Sequence, residues 1–409
     1  VVVGAGLAGW TTVREFRKLN TTRPVVVVTA DSGDFYAKPG LSNALAQQRG
    51  PEQLVSTRAA KMAETLNVTL LAHSRVEQLD TDRRLLTVCT EGVRQTLAYG
   101  QLVLATGAQP IRSAIAGNAA EQVLAVNSLD DFSVFYSRLT AGTTPQPAAA
   151  DAAARTDDRP PMGKTLLVIG AGLIGCEFAN DLLQAGYSVH VVDPSPRPLA
   201  ALLPEGAGLQ LQQALQDLGA RWHFGTTVQA VDALDGAHPL ATGPLRVTLA
   251  DGVQLVVDAV LSAIGLRADT ALAAAAGLRC ERGIVVNRHL QTSAEQVYAL
   301  GDCAQYASAG QRTLPYVMPV MHAARALATT LTGHRTEVVF PLMPVSIKTP
   351  ALPIVVSAAH PALPGEWRAA PDAPQGVWRF HDRSGVQRGF ALSGKSTARR
   401  LELARETTL

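Results

Sequence analysis

Thr165-Leu-Leu-Val-Ile-Gly170-Ala-Gly172-Leu173-Ile174-Gly175-Cys-Glu177 is a short apolar run that breaks into three spaced glycines and resumes with helical periodicity. The chain opens on the same device, Val1-Val-Val-Gly4-Ala5-Gly6-Leu7-Ala8-Gly9. One such stretch is a weak signal, because glycines cluster by chance and a glycine turn serves many α/β folds. Two copies, each leaving a β-branched strand and entering a helix, point to one architecture used twice.

Each glycine of the Gly-x-Gly-x-x-Gly pattern answers a separate demand. The first makes the tight strand-to-helix turn, the second lets backbone approach a pyrophosphate, and the third lets helix and strand pack closely. The helix then offers unpaired N–H groups and the positive end of its dipole to the phosphates. A carboxylate about 20 residues further on takes ribose hydroxyls. Asp193 ends the strand Tyr187-Ser-Val-His-Val-Val-Asp193, and Asp31 follows Val25-Val-Val-Val-Thr-Ala. The pattern predicts two nested dinucleotide sites, and so a flavin fed by a nicotinamide.

The whole chain sets bounds on this reading. Its 409 residues suggest two or three domains, and 47% hydrophobic residues suffice for sizeable cores. A net charge of +2 without any Lys/Arg block argues against nucleic acid, though a local basic face for an acidic protein remains open. The cysteines are Cys89, Cys176, Cys280 and Cys303, with no C-x-x-C or C-x4-C pair. That spacing fits a reducing compartment and predicts neither an iron–sulfur cluster nor any other metal site. The chain opens on a strand, so no signal peptide is expected, and the lack of an initiator Met suggests a natural start a few residues earlier. No run reaches the roughly 18 apolar residues of a membrane span.

Taken in order, Trp10 to Asn20 reads as a helix and Pro24 to Thr29 as the second strand. Phe35-Tyr-Ala-Lys38-Pro39-Gly-Leu-Ser42-Asn43 reads as a loop and a helical start, in which Lys38 taken alone is only a solvated lysine. The buried strand ending in Ala105-Thr106-Gly107 should present a ligand at its carboxyl end. Residues 140–163 are rich in Ala, Pro and Thr without a periodic face, which predicts a flexible surface insertion. In the second unit, Pro204 to Leu218 reads as a helix. Val297-Tyr-Ala-Leu-Gly301-Asp302 is another buried strand, whose terminal Asp can accept hydrogen bonds from sugar hydroxyls. Pro315 to Ala328 reads as a helix whose N-terminus could face an anionic ring edge. From about Phe340, short strands predict a small α+β domain.

Together these motifs resemble the two-dinucleotide-binding flavoprotein family of glutathione reductase, NADH peroxidase and the ferredoxin and rubredoxin reductases. Tyr36-x-Lys38-Pro39-x-Leu-Ser, Leu-Ile-Gly-Cys-Glu177-Phe-Ala-Asn-Asp, Tyr-Val317-Met-Pro and Val-Ser-Ile-Lys348-Thr-Pro are most similar to its rubredoxin–NAD(+) reductase branch, known from alkane-hydroxylating bacteria. The resemblance implies an α/β fold of two Rossmann-like domains, the second inserted in the first, plus the C-terminal domain. FAD would occupy 1–117 with 252–335, the nicotinamide nucleotide 118–251, and the C-terminal domain 336–409. It implies that Gly4, Ala5, Gly6, Leu7, Ala8, Gly9 and Asp31 bind the ADP half of FAD, with the Val76 backbone on the adenine. Pro39 and Ala105 to Gly107 would also line the flavin site. Asp302 would hold the ribityl chain, and Val317 with its helix would meet the isoalloxazine. Lys38, Glu177 and Lys348 would surround the ring, with Lys38 and Glu177 as the catalytic ion pair. Gly170, Gly172, Leu173, Ile174, Gly175 and Asp193 would bind NADH, which Asp193 favours over NADPH by repelling a 2′-phosphate. Arg197 counts the other way, since an arginine can accept that phosphate.

Departures from the family decide the subclass. Disulfide reductases need a C-x4-C pair, which is missing, and peroxidases carry a Cys after Leu-Ser where this chain has Asn43. The resemblance therefore implies an FAD-dependent, cytoplasmic, monomeric NADH:rubredoxin oxidoreductase without thiol chemistry, passing single electrons to a small acidic iron protein. Two alternatives stand beside it. One is a ferredoxin reductase feeding an oxygenase or P450. The other, of a different class, is a flavin- and NADH-binding interaction protein, which the absence of basic runs disfavours.

Overall fold

β-Branched residues build the first sheet. Val2–Val3, Val26–Val28, Thr69–Leu71, Leu102–Leu104 and Val297–Ala299 are short and almost entirely aliphatic, as strands covered on both faces must be. They run parallel, with Val2–Val3 central between Leu102–Leu104 and Val26–Val28. The computed structural model describes residues 1–141, 163–234, 243–369 and 376–408. The predicted insertion at 140–163 lies, but for its ends, outside them.

The chain divides into two compact units. One comprises Val1–Lys38, Gln53–Gln109 and Leu266–Met343, the other Pro39–Glu52, Pro110–Gly265 and Pro344–Leu409. In the first, helices Leu7–Leu19 and Val317–Leu331 pack on each other, and the core gathers Trp10, Phe16, Leu104, Tyr306 and Leu327. An antiparallel ladder, Ser74–Asp80, Leu85–Thr90 and Val93–Ala98, completes it.

The second unit repeats the plan. Val123–Leu124, Ala259–Ser262, Thr165–Ile169, Ser188–Asp193 and Arg221–Phe224 form a parallel sheet in that order. Helix Leu173–Gln184 follows the middle strand, and Val228–Ala233, Leu245–Leu249 and Gln254–Val257 form a second ladder. The chain re-enters the first unit at Leu266. Beyond Pro344, a five-stranded antiparallel sheet runs in the order Val345–Ile347, Ile354–Ser357, Gln387–Ser393, Val377–Asp382, Gly365–Ala369, closed by helix Arg400–Glu406. The predicted α/β class with two Rossmann-like folds and a small C-terminal α+β part is borne out.

Helix Leu129–Thr140 was not expected from the sequence. Ser128 accepts a hydrogen bond from the Asp131 N–H while Asp131 accepts from Ser128, a capping box that fixes the start. Among the described residues, no helix is long and apolar enough to cross a membrane, and no group of three or more His, Cys, Asp or Glu could hold a metal.

Candidate functional site

The first phosphate loop is shaped by what cannot fit. Gly4 has φ +106°, and a Cβ there would stand 2.2 Å from the Ala105 carbonyl oxygen. A Cβ on Gly9 would stand 1.9 Å from the Gly4 carbonyl oxygen, so the helix can approach the strand only with glycine there. The middle glycine, Gly6, faces open space. It is the N-cap of helix Leu7–Leu19, with no side-chain cap and no acidic residue in the first turn. A side chain at Gly6 would fill the open space at the start of this helix, where the first-turn amides have no intrahelical acceptor, so the loop fits a pyrophosphate.

Among the other predicted residues of this unit, Asp31, Ala105 and Asp302 follow strands of the first sheet in the chain. Asp31 accepts from the Thr29 hydroxyl at 2.6 Å and the Gly33 N–H at 2.9 Å, which orients its carboxylate just past Val26–Val28. Val76 sits where a β-bulge interrupts the ladder with Leu85–Thr90. Ala105 donates its N–H to the Val3 carbonyl. The Thr106 hydroxyl donates to the Asp269 carbonyl at 2.8 Å, and the Asp269 N–H returns a bond to Gly107, a partner that sequence reading missed. Lys38 Nζ lies 3.9 Å from Asp302, whose pKa burial raises and Lys38 pulls back. Val317 opens helix Val317–Leu331 and is 40% exposed, with no side-chain cap on the helix start.

The second unit builds the same loop. Gly170 has φ +103°, with the Ala263 carbonyl oxygen 2.7 Å from where its Cβ would be, and Gly175 stands 1.9 Å from the Gly170 carbonyl oxygen by the same measure. Gly172 again faces open space at the uncapped start of Leu173–Gln184, and Ile174 is part-exposed there. Asp193 accepts from the Ala171 N–H at 2.6 Å and the Ser195 N–H at 2.7 Å, which ties it to the loop. Arg197 turns elsewhere: its guanidinium donates to the Leu203 carbonyl at 3.0 Å and the Ala200 carbonyl at 3.4 Å.

One face of helix Leu173–Gln184 is polar and buried. Glu177, Asn180 and Asp181 are each at most 3% exposed. Glu177 accepts from the Ser42 hydroxyl at 2.7 Å and the Lys348 N–H at 2.9 Å. Asn180 accepts from the Ala351 N–H, and Asp181 from the N–H groups of Leu45 and Ala46, each 2.9 Å. Burial raises the Asp181 pKa, and these amides oppose it. Lys348 Nζ donates to the Pro39 carbonyl, and burial lowers its pKa against the pull of Glu177. The helix that starts at the second phosphate loop thus pins down Ser42 to Ala46 and the turn after Lys348. Ser42, Asn180 and Asp181 were missed, although the last two lie in the quoted Glu177-Phe-Ala-Asn-Asp.

Residues 1–328 match the family model of the pyridine nucleotide-disulphide oxidoreductases. The chain belongs to that family. Residues 337–407 match the rubredoxin binding C-terminal domain. The chain is 40% identical to the rubredoxin-NAD(+) reductase of Acinetobacter baylyi over 98% of this chain and 95% of that one. It is also 40% identical to the enzyme of the same name from Alcanivorax borkumensis, over 99% and 97%. In fold it is similar to the reductase of a covalent putidaredoxin reductase–putidaredoxin complex, with TM-score 0.83 and 23% identity over 99% of this chain and 92% of that one. The resemblance read from the motifs is borne out. Within a family named for disulphides, all four cysteines of this chain are free.

Proposed function

We propose that this member of the pyridine nucleotide-disulphide oxidoreductase family is an FAD-dependent NADH:rubredoxin oxidoreductase. The observation that carries the reading is the match of 337–407 to the rubredoxin binding C-terminal domain, joined to two dinucleotide folds in one chain. The divisions 1–117 with 252–335, 118–251 and 336–409 describe its FAD, NADH and C-terminal parts, except that 252–265 go with the second unit, where Gln254–Val257 and Ala259–Ser262 pair. When bound, the flavin supplies the conversion of a two-electron hydride donor into single electrons for a one-electron carrier.

The chain's residues bind and orient. Gly4 to Gly9 and the amides behind them take the FAD pyrophosphate, Asp31 the ribose and the Val76 backbone the adenine. Ala105 to Gly107, Pro39, Asp302, Val317 and Lys348 line the flavin site. Lys38 and Glu177 take the catalytic roles. Gly170 to Gly175 and Asp193 take NADH. The fixed Asp193 carboxylate repels a 2′-phosphate, and one terminal nitrogen of Arg197 bonds the Ala200 and Leu203 carbonyls while the other is buried. Its acceptor is a small acidic iron protein. We read the protein as a cytoplasmic monomer, in keeping with its free cysteines.

Anaerobic titration of the yellow protein with NADH tests the reading. One equivalent of NADH per FAD should bleach the visible flavin band, with no change in titratable thiols. A change in thiol count on reduction, or no bleaching, would contradict it.

A further inference from the structure

We propose that Tyr306 is a positioning residue that holds the turn Gly301-Asp302-Cys303 in its cofactor-binding shape before FAD arrives. The proposal rests on the FAD reading of the first unit and adds a residue for which neither motif nor resemblance supplies a role.

Tyr306 is fully buried, yet it carries a polar group. A buried hydroxyl is costly unless bonded. This one is bonded twice to a single residue: it accepts the Gly301 N–H at 2.7 Å and donates to the Gly301 carbonyl at 3.2 Å. The Ala304 N–H donates to the same carbonyl at 3.1 Å, so Asp302 sits inside a turn closed by backbone and side chain together. The clamp acts just past the strand Val297–Ala299, where ladder bonding ends.

The clamped residue has little freedom to begin with. Gly301 has φ +84°, and a Cβ there would meet the Ala8 side chain at 2.8 Å. The turn therefore lies against the helix that begins at the first phosphate loop. Around it, Cys303 Sγ donates to the Leu300 carbonyl, and Phe340 packs edge-on to the Tyr306 ring at 5.0 Å between centroids. Ring packing alone would be served equally by Phe. The hydroxyl is what fixes Gly301, and through it the direction of the Asp302 carboxylate. An ordered turn spares FAD the cost of ordering it on binding.

Tyr306→Phe keeps the ring against Phe340 and removes only the hydroxyl. The dissociation constant of FAD from the refolded apoprotein should rise about tenfold, which is ~1.4 kcal/mol. In the D302N background the same substitution should add little, because Tyr306 acts through Asp302. In wild-type apoprotein, amide hydrogen exchange should find Gly301 protected before FAD is added. Equal falls in the melting temperatures of apo- and holoprotein with FAD affinity unchanged would make the hydroxyl merely structural and overturn the proposal. Full additivity of Y306F and D302N would do the same. If Y306F does not fold, exchange in the wild type decides, and a Gly301 amide protected only by FAD overturns the proposal. A wild type that binds no FAD at all would overturn it together with the functional reading, a result distinct from Y306F binding FAD as the wild type does.

Discussion

Glu177 shows how a buried carboxylate is made tolerable by neutral hydrogen-bond donors. The Ser42 hydroxyl and the Lys348 N–H each donate to one of its oxygens, and burial without such donors would be costly. Glu177→Ala leaves both donors without their acceptor. It should lower stability in urea by ~1–3 kcal/mol, and an unchanged unfolding midpoint would show that water replaces the carboxylate. Lys38 belongs to a different kind of site, a half-exposed ammonium near Asp302. Lys38→Ala should slow flavin reduction in the stopped flow more than it weakens FAD binding. Unchanged reduction would return it to the status of a loop lysine. The structure also weighs Arg197 differently from the sequence. Proximity to Asp193 made it a candidate for a 2′-phosphate, but its guanidinium is bonded to two carbonyls of its own loop. Steady-state kinetics should therefore give a higher kcat/KM with NADH than with NADPH, and the reverse preference would contradict the assignment of Asp193.

At the scale of elements, what was legible is what is written in short-range patterns. Both phosphate loops follow from glycine spacing alone, because the first and third glycines of each meet backbone within the same strand–turn–helix unit or a strand beside it, while Gly6 and Gly172 stand in open space. Gly170→Ala should remove NADH binding and lower the melting temperature, since the added Cβ meets the Ala263 carbonyl at a backbone angle that L-residues avoid. Helix Leu129–Thr140 was also legible, through Ser128 and Asp131, but its amphipathic face is short and the reading passed over it. Strand Gly365–Ala369 was missed because its pairing with Val377–Asp382 is not written in its own alternation, which is mostly exposed. Paired strands also bring together His190 and His223, whose ring nitrogens lie 2.9 Å apart. Burial, then His223 and Arg221, lowers the His190 pKa to about 4 from an ordinary 6.5. The unfolded chain binds this proton at higher pH than the native one does, so stability is fully present above pH 6.5 and declines as pH falls toward 4. His190→Gln should flatten the pH dependence of urea unfolding in that window, and an unaltered slope would assign it to other groups.

Across the whole molecule, the reading was strong where a motif carried it and blind where the chain folds back over long separations. Ser42 and Lys348 reach Glu177 across 135 and 171 residues, and no local pattern announces either bond. Tyr306 is five residues from Gly301, yet nothing in the sequence marks a tyrosine as a clamp on its own turn. The C-terminal part was legible as α+β from its strands, while its likeness to rubredoxin-binding domains came from comparison. The central claim is that electrons leave this protein for a small iron protein recognised in part by that segment. Its most direct test is NADH-driven reduction of purified rubredoxin, with a [2Fe–2S] ferredoxin run in parallel at the same ionic strength. Fast rubredoxin reduction with slow ferredoxin reduction is the predicted result. Fast ferredoxin reduction with rubredoxin left oxidised would contradict it and make the protein a ferredoxin reductase.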